Sequence, residues 1–344
     1  AQHRGLLDQV LEIFTITPQH DLNIMQAQQS PVHIIRQVLE RLEPVLIAER
    51  PEWVLIQGDT TSVMATALLA FHHHLQVGHV EAGLRTRDNR RPFPEEINRR
   101  LASVMTHLHF APTPWARDNL LRESVPAERV RVTGNPVIDA LQWASSQSLG
   151  PPSQRRLAQL GLDEMPTDYR LLLVTAHRRE NFGRPLEQIC LALRELAERY
   201  AGTVRILYPV HPNVNVQALV RRLLGATPHI TLTEPLDYLT LVQVLKRTHL
   251  VLTDSGGLQE EAPSLGIPVL VLREVTERPE GVEAGTVQVV GTDQDRIVAA
   301  ATRLLDTPEA YQRMARAINP YGDGHAAERI VKALLEAEVS HAPA

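Results

Sequence analysis

Asp59 comes directly after the apolar run Trp53-Val54-Leu55-Ile56 and its Gln57-Gly58 ending, and Glu81 directly after Val77-Gly78-His79-Val80. In a parallel α/β sheet, functional groups collect just beyond the carboxyl ends of strands, and neighbouring strands bring two such carboxylates to one rim. Acid–base chemistry on a shared ligand is the reading for the pair. Asp59 alone has an equally good structural reading, because Asp-Thr-Thr-Ser is good helix N-cap chemistry. Glu81 before Ala-Gly is harder to explain structurally, and the functional reading is favoured there. Glu95 and Glu96 follow Arg90-Arg91-Pro92-Phe93-Pro94, where a helix starts with acids in its first turn, placed well for the macrodipole. Arg99 and Arg100 are their i+4 partners, and at least one of the two acids serves only that structural purpose.

Three further stretches carry anion-binding chemistry. Thr175-Ala176-His177-Arg178-Arg179-Glu180-Asn181 follows Leu171-Leu172-Leu173-Val174. A histidine beside two arginines suits an anion or acid–base loop better than a core. Thr253-Asp254-Ser255-Gly256-Gly257-Leu258-Gln259-Glu260-Glu261 runs from a strand through a glycine turn into a helix, where free N–H groups attract phosphate. Glu260 and Glu261 are oddly placed for phosphate, so one of them is read as an acceptor for ribose hydroxyls. Thr276-Glu277-Arg278-Pro279-Glu280 offers Arg278 as a second anion partner. The pattern is neither a Walker A loop nor a G-x-G-x-x-G dinucleotide site. His211 has a similar position after a strand in a weaker context. His72-His73-His74 points three ways from a helix end and does not make a metal site.

The elements that must position these groups alternate strand and helix. Strands are expected at 53–56, 77–80, 108–111, 130–133, 171–174, 204–207, 250–253 and 269–272, with helices over 63–74, 186–197 and 326–338. Ser145 to Ser153, rich in helix breakers, is read as a linker. Repeated βα units on both sides of it predict an α/β chain of two Rossmann-like, doubly wound domains facing a cleft, over residues 1–145 and 151–324. The length of 344 residues is enough for two domains, and 43% hydrophobic with 22% charged residues is the composition of a folded enzyme. A net charge of -5 argues against a general nucleic-acid surface. Cys190 is the single cysteine, which excludes an intrachain disulfide and a cysteine zinc cage. No apolar run reaches the roughly 20 residues of a membrane span, and no signal peptide is read at Ala1-Gln2-His3-Arg4, so a cytoplasmic protein is expected.

Taken together, these motifs closely resemble the non-hydrolysing UDP-N-acetylglucosamine 2-epimerases of bacteria, a family with the GT-B architecture. The resemblance rests on Gln57-Gly58-Asp59-Thr60, on His79 through Arg85, on Pro92 through Arg99, and on Thr133-Gly134-Asn135-Pro136. It continues through His177 to Asn181, Asp254 to Glu261, Thr276 to Glu280 and Asn319 to Gly324. It implies reversible C2 epimerisation of UDP-GlcNAc to UDP-ManNAc by elimination of UDP and re-addition through 2-acetamidoglucal, with no cofactor and no metal. Asp59 and Glu81 are implied as the acid–base groups, Glu95 as their helper, and His177 as the residue that stabilises charge on the departing diphosphate. Ser255, Gly256, Gly257 and Arg278 suit the diphosphate. By resemblance Glu261 holds the ribose, and main-chain groups near Leu236 and Leu241 border uracil.

The same resemblance implies a homodimer and a C-terminal helix, 325–344, that joins the first domain. Family members open with a strand and a Gly-Thr-Arg-Pro-Glu loop; the sequence given starts after that segment, so a first domain short of one strand is expected. Regulated members bind a second UDP-GlcNAc at positions matched by Gln2, His3, Glu95, Arg178 and His211, but Gly5 and Gln28 stand where some have glutamine and arginine. A hydrolysing epimerase, a UDP-sugar glycosyltransferase and a nucleotide-sugar sensor are the competing readings.

Overall fold

Two all-parallel sheets organise the computed structural model, which describes residues 4–26, 29–162, 165–166 and 168–337. The chain divides into two compact units, Ala1–Asp139 with Tyr321–Ala344, and Ala140–Pro320. In chain order the first unit contributes α1 (Arg4–Ile13), α2 (Pro31–Glu49), β1 (Trp53–Gln57), α3 (Thr61–His72), β2 (Gln76–Val80), α4 (Glu95–Met105), β3 (Leu108–Ala111), α5 (Pro114–Arg122) and β4 (Val130–Val132). Helix α6 (Pro136–Ser146) carries the chain across the division. The second unit adds α7 (Pro151–Gln159), β5 (Arg170–Thr175), α8 (Arg184–Arg199), β6 (Val204–Pro209), α9 (Val214–Leu224), β7 (Ile230–Thr233) and α10 (Tyr238–Leu245). It continues with β8 (Thr248–Thr253), α11 (Gly256–Ser264), β9 (Val269–Val271), α12 (Pro279–Glu283), β10 (Val287–Val289), α13 (Gln294–Asp306) and α14 (Pro308–Ala315); α15 (Ala326–Glu336) belongs to the first unit.

The second sheet has the order β10-β9-β8-β5-β6-β7, so its winding reverses between β5 and β8. Alternate residues of each strand face opposite sides. Leu172, Val174, Ile206, Tyr208, Leu250 and Leu252 fill one core, and Leu171, Leu173, Leu207, Val251 and Val269 fill the other. Both faces are covered, which is why these strands read as continuous apolar runs. Helix α8 lays Leu186, Ile189, Cys190, Leu193, Leu196 and Ala197 onto the first of these cores, the stripe its 3.6-residue period predicts.

The first sheet runs β1-β2-β3-β4, keeping one winding direction among the described residues. Ile56, Ala67, Ala70, Val77 and Ala102 form a core between sheet and helices, and Ile330 of α15 packs with Val80, Leu108 and Phe110. Asp139 holds the start of α15 by accepting from the backbone N–H groups of Ala326 (3.1 Å) and Ala327 (2.8 Å). The stretch read as a linker is mostly helical: α6 ends at Ser146 and α7 starts at Pro151, where proline at the first helical position lacks only an N–H that has no partner there anyway. No helix among the described residues is long and apolar enough to cross a membrane.

Candidate active site

A reversal of winding opens a crevice at the carboxyl ends of the two strands concerned, where ligands of open α/β sheets bind. In the second unit those strands are β5 and β8, and the residues that leave them are tied together. Asp254, fully buried after β8, accepts at Oδ2 from the backbone N–H of His177 (2.7 Å), the backbone N–H of Arg178 (2.8 Å) and Nδ2 of Asn181 (3.0 Å). One carboxylate therefore folds the loop after β5 across the switch point. The His177 ring lies with Nδ1 3.4 Å from Asp254 Oδ1 and stacks on His211, the residue beyond β6, with centroids 5.2 Å apart. The ring is held on two sides, with 34% of the side chain exposed for a ligand.

Ser255 is the N-cap of α11 without a side-chain capping bond, so the helix presents its first-turn N–H groups and dipole to an anion. A Cβ on Gly256 would lie 2.6 Å from Arg278 Nη1, so only glycine lets the guanidinium rest against the helix start. Arg278, read from the sequence as a second anion partner, is held by acids of its own. It donates to Glu260 and, at 2.6 Å, to Glu277, while Arg273 donates to Glu277 at 2.8 Å and to Glu180 at 2.6 Å. Burial alone would raise the Glu277 carboxyl, yet the charges of Arg278, Arg273 and Arg178 hold it at about 2. An anion at this place meets an oriented guanidinium rather than a mobile one.

Glu261 is buried in α11, and Oε2 would lie 3.5 Å from a Cβ on Gly257, facing the glycine turn. Its Oε1 accepts from the Tyr238 hydroxyl at 2.9 Å, which ties α10 to α11. Leu236, in the loop after β7, and Leu241, in α10, are partly buried against the same core, and Asp237 caps α10 through the N–H of Thr240 at 2.9 Å. Burial pushes Glu261 up to about 7, Tyr238 opposes this and the Glu260 charge adds to it.

The sign of the linkage follows from that shift. The folded chain holds this proton more tightly than the unfolded one, so stability is full below the ordinary carboxylate range and falls as pH rises through about 7. Ionised Glu261 then costs the ligand-free protein up to about 3 kcal/mol. Glu261→Gln keeps the acceptor for Tyr238 and is expected to raise the melting temperature at pH 8 but not at pH 5. It should also weaken UDP binding at pH 8 by about tenfold, the worth of a hydrogen bond to a charged group. Equal melting temperatures at pH 8 would remove this assignment.

In the first unit β1 and β2 pair in register at Gln57 and Val80, so Gly58-Asp59 and Glu81 leave adjacent strand ends. Gly58 (φ +78) and Glu81 (φ +63) both adopt left-handed backbone, and Glu81 Oε2 comes within 3.6 Å of where a Gly58 Cβ would stand. Thr60, not Asp59, caps α3 by accepting from Val63 N–H, which settles the capping alternative. Asp59 Oδ2 instead accepts from Arg99 Nη2 at 2.7 Å. Burial pushes His79 down to about 4, so its ring is neutral at pH 7 and its Nε2–H donates to the Gly58 carbonyl at 2.7 Å.

The two acids that open α4 separate. Glu96 is fully buried and accepts from the N–H groups of Thr86 (3.0 Å) and Arg87 (3.1 Å), a structural role that i+4 pairing did not anticipate. Glu95 is half-buried, and its Oε2 has no hydrogen-bond partner among the described residues. In the first unit Asp59 and Glu81 leave adjacent strand ends while Glu95 opens α4; in the second His177, His211, Leu236, Ser255 and Arg278 lie in the segments that follow strands, Gly256 and Gly257 begin α11 and Glu261 lies within it. Arg178 donates its backbone N–H to Asp254, and Gln2 and His3 lie outside the described residues. Sequence reasoning quoted Asp254 without giving it a role and missed Arg99, His79 and Tyr238 as partners.

Two Rossmann-like parallel-sheet units, with a reversal of winding between β5 and β8 in one and strand-end carboxylates in the other, define an α/β protein of the GT-B-like class. The family model described as UDP-N-acetylglucosamine 2-epimerase matches residues 1–335. The UDP-N-acetylglucosamine 2-epimerase of Escherichia coli K12 is 50% identical over 340 residues, covering 99% of this chain and 90% of that protein. That of Salmonella typhimurium is 52% identical over 341 residues, with the same coverage of 99% and 90%. A crystal structure of the Neisseria meningitidis UDP-GlcNAc 2-epimerase bound to UDP-GlcNAc is similar with a TM-score of 0.92 at 45% identity, covering 98% of this chain and 90% of that one. The chain belongs to the UDP-N-acetylglucosamine 2-epimerase family.

Proposed function

We propose that the protein interconverts UDP-GlcNAc and UDP-ManNAc at C2 of the sugar. The observation that carries the reading is the pair of carboxylates, Asp59 and Glu81, at adjacent carboxyl ends of strands paired in register, in a chain of this family. The C2 proton is not beside a carbonyl, so direct removal and return would need an implausibly strong base. Breaking the anomeric C1–O bond gives C1 oxocarbenium character and acidifies C2–H. A carboxylate takes that proton, the electron pair of C1–O leaves with UDP, and a C1–C2 double bond forms in 2-acetamidoglucal. In return a UDP oxygen re-adds to C1 and a protonated carboxyl delivers a proton to the other face of C2.

Asp59 and Glu81 serve as the acid–base groups in this scheme, and Glu95 assists. Ser255, Gly256, Gly257, Arg278 and His177 hold the diphosphate while it is detached, Glu261 the ribose, and main-chain groups near Leu236 and Leu241 the uracil. His177 contributes about 10²–10³-fold as a donor to developing charge. In deuterium oxide each product molecule is expected to carry solvent deuterium at C2. Epimerisation that retains the original hydrogen refutes elimination, and steady release of free UDP shows a hydrolysing enzyme instead. A second nucleotide sugar at Gln2, His3, Glu95, Arg178 and His211 belongs to the same proposal; a reaction started from UDP-ManNAc alone without a lag removes it. A cytoplasmic homodimer is the expected state, and light scattering on the purified protein tests the dimer.

A further inference from the structure

We infer that Arg99 is a positioning residue for the epimerisation, acting through Asp59. The inference rests on the functional reading above and concerns a buried residue whose role runs through the carboxylate of Asp59. Arg99 is 3% exposed, yet among the described residues its side chain makes one hydrogen bond, from Nη2 to Asp59 Oδ2 at 2.7 Å. Nη1 lies 3.5 Å from Glu96 Oε2, and both Nε and Nη1 lack a hydrogen-bond partner among the described residues. Burying a guanidinium with most donors unmet costs stability rather than adding to it. A purely structural pairing would have satisfied those donors, or would have used an apolar side chain. The arrangement makes sense for what it does to the partner.

Three buried donors converge on the turn that carries Asp59. His79 holds the Gly58 carbonyl at 2.7 Å, Asn98 Nδ2 holds the Asp59 carbonyl at 3.0 Å, and Arg99 holds Oδ2. The two bonds to backbone carbonyls fix where residue 59 stands, and among the described residues only Arg99 fixes how its carboxylate is turned. With Oδ2 committed, Oδ1, which makes no hydrogen bond among the described residues, is the oxygen left for a reacting group. Glu96 stands behind Arg99 as a fully buried counter-charge and clamps the N–H groups of Thr86 and Arg87. Helix α4 thus orients Asp59 from the same turns that begin with Glu95.

A geometry of this kind acts on the chemical step more than on substrate affinity, because orientation is worth most at the transition state. The test is a double-mutant cycle on the full-length protein. Arg99→Gln is expected to lower kcat by about 10²-fold with KM within threefold, and Arg99→Lys, which keeps the charge but not the planar fork, to lose only about tenfold. In an Asp59→Asn background the Arg99→Gln substitution should cost less than threefold, because the group it orients is gone. Equal losses in the two backgrounds, or Arg99→Lys as poor as Arg99→Gln, overturn the inference. Circular dichroism and a thermal melt report whether each variant is folded. Should Arg99→Gln fail that check, the cycle is run with Arg99→Lys: tenfold against less than twofold supports the inference, and equal factors overturn it. A wild-type protein that does not epimerise UDP-GlcNAc refutes the functional reading and this inference with it. An active wild type with an additive cycle refutes the inference alone.

Discussion

Replacing Glu81 by glutamine is expected to lower kcat by about 10³-fold while UDP affinity stays within twofold. The size is that of losing a positioned acid–base group, since glutamine keeps the shape but neither takes nor returns a proton. UDP affinity stays because the residues proposed to hold the nucleotide belong to the second unit. The backbone supports the assignment independently. Glu81 stands in the left-handed region at φ +63, a conformation that costs a side-chain-bearing residue about 1 kcal/mol or more and that glycine adopts freely. A chain under selection for stability alone would carry glycine there. Glu81→Gly is therefore expected to melt at the same temperature as the wild type or a few degrees higher, with activity lost. That combination marks strain retained for chemistry. Less than tenfold loss of kcat in Glu81→Gln, measured with initial rates at saturating UDP-GlcNAc, would end the assignment.

The strands that position the site were legible because they are buried on both faces. Leu171 to Val174, Leu250 to Thr253 and Val269 to Val271 read as continuous apolar runs since each face meets a core of its own. The two strands missed, β7 (Ile-Thr-Leu-Thr) and β10 (Val-Gln-Val), lie at the edges of the sheet, where polar residues alternate and the run is only three or four residues long. Ser145 to Ser153 holds a short connection, 147–150, flanked by helix ends that breaker composition does not announce. Serine, glycine and proline there start and end helices rather than break them, and the order decides which. Of the site, the groups that follow strands were legible, since position after a strand is a property of sequence. Their partners were not. Arg99 lies 40 residues from Asp59, Tyr238 lies 23 from Glu261, and Asp254 lies 77 from His177, separations that only the sheet order closes. Arg99 looked like an i+4 partner of Glu95 because local spacing was the only geometry available.

Asp254→Ala is expected to lower the stability of the second unit by about 3 kcal/mol and UDP affinity by at least about 100-fold. The side chain is fully buried, and truncation strands three donors at once: the backbone N–H groups of His177 and Arg178 and the Asn181 amide, all within 3.0 Å of Oδ2. Buried donors left without acceptors cost about 1–3 kcal/mol each, and the loop escapes part of that by opening to water. Once open, it no longer stacks His177 on His211. Asp254→Asn separates geometry from charge. Its carbonyl oxygen can take the place of Oδ2 and satisfy the same three donors, while the amide nitrogen replaces the oxygen that lies 3.4 Å from His177 Nδ1. The asparagine variant is thus expected to melt within a few degrees of the wild type and to bind UDP within about threefold. Its kcat should nevertheless fall by about 10²-fold, because a histidine that has lost its carboxylate partner stabilises the departing diphosphate less well. Thermal melts, UDP titration and kcat on the two variants decide the matter. If alanine binds UDP like the wild type, the carboxylate does not build the nucleotide site. If asparagine turns over like the wild type, the carboxylate builds the loop and does nothing for the chemistry of His177.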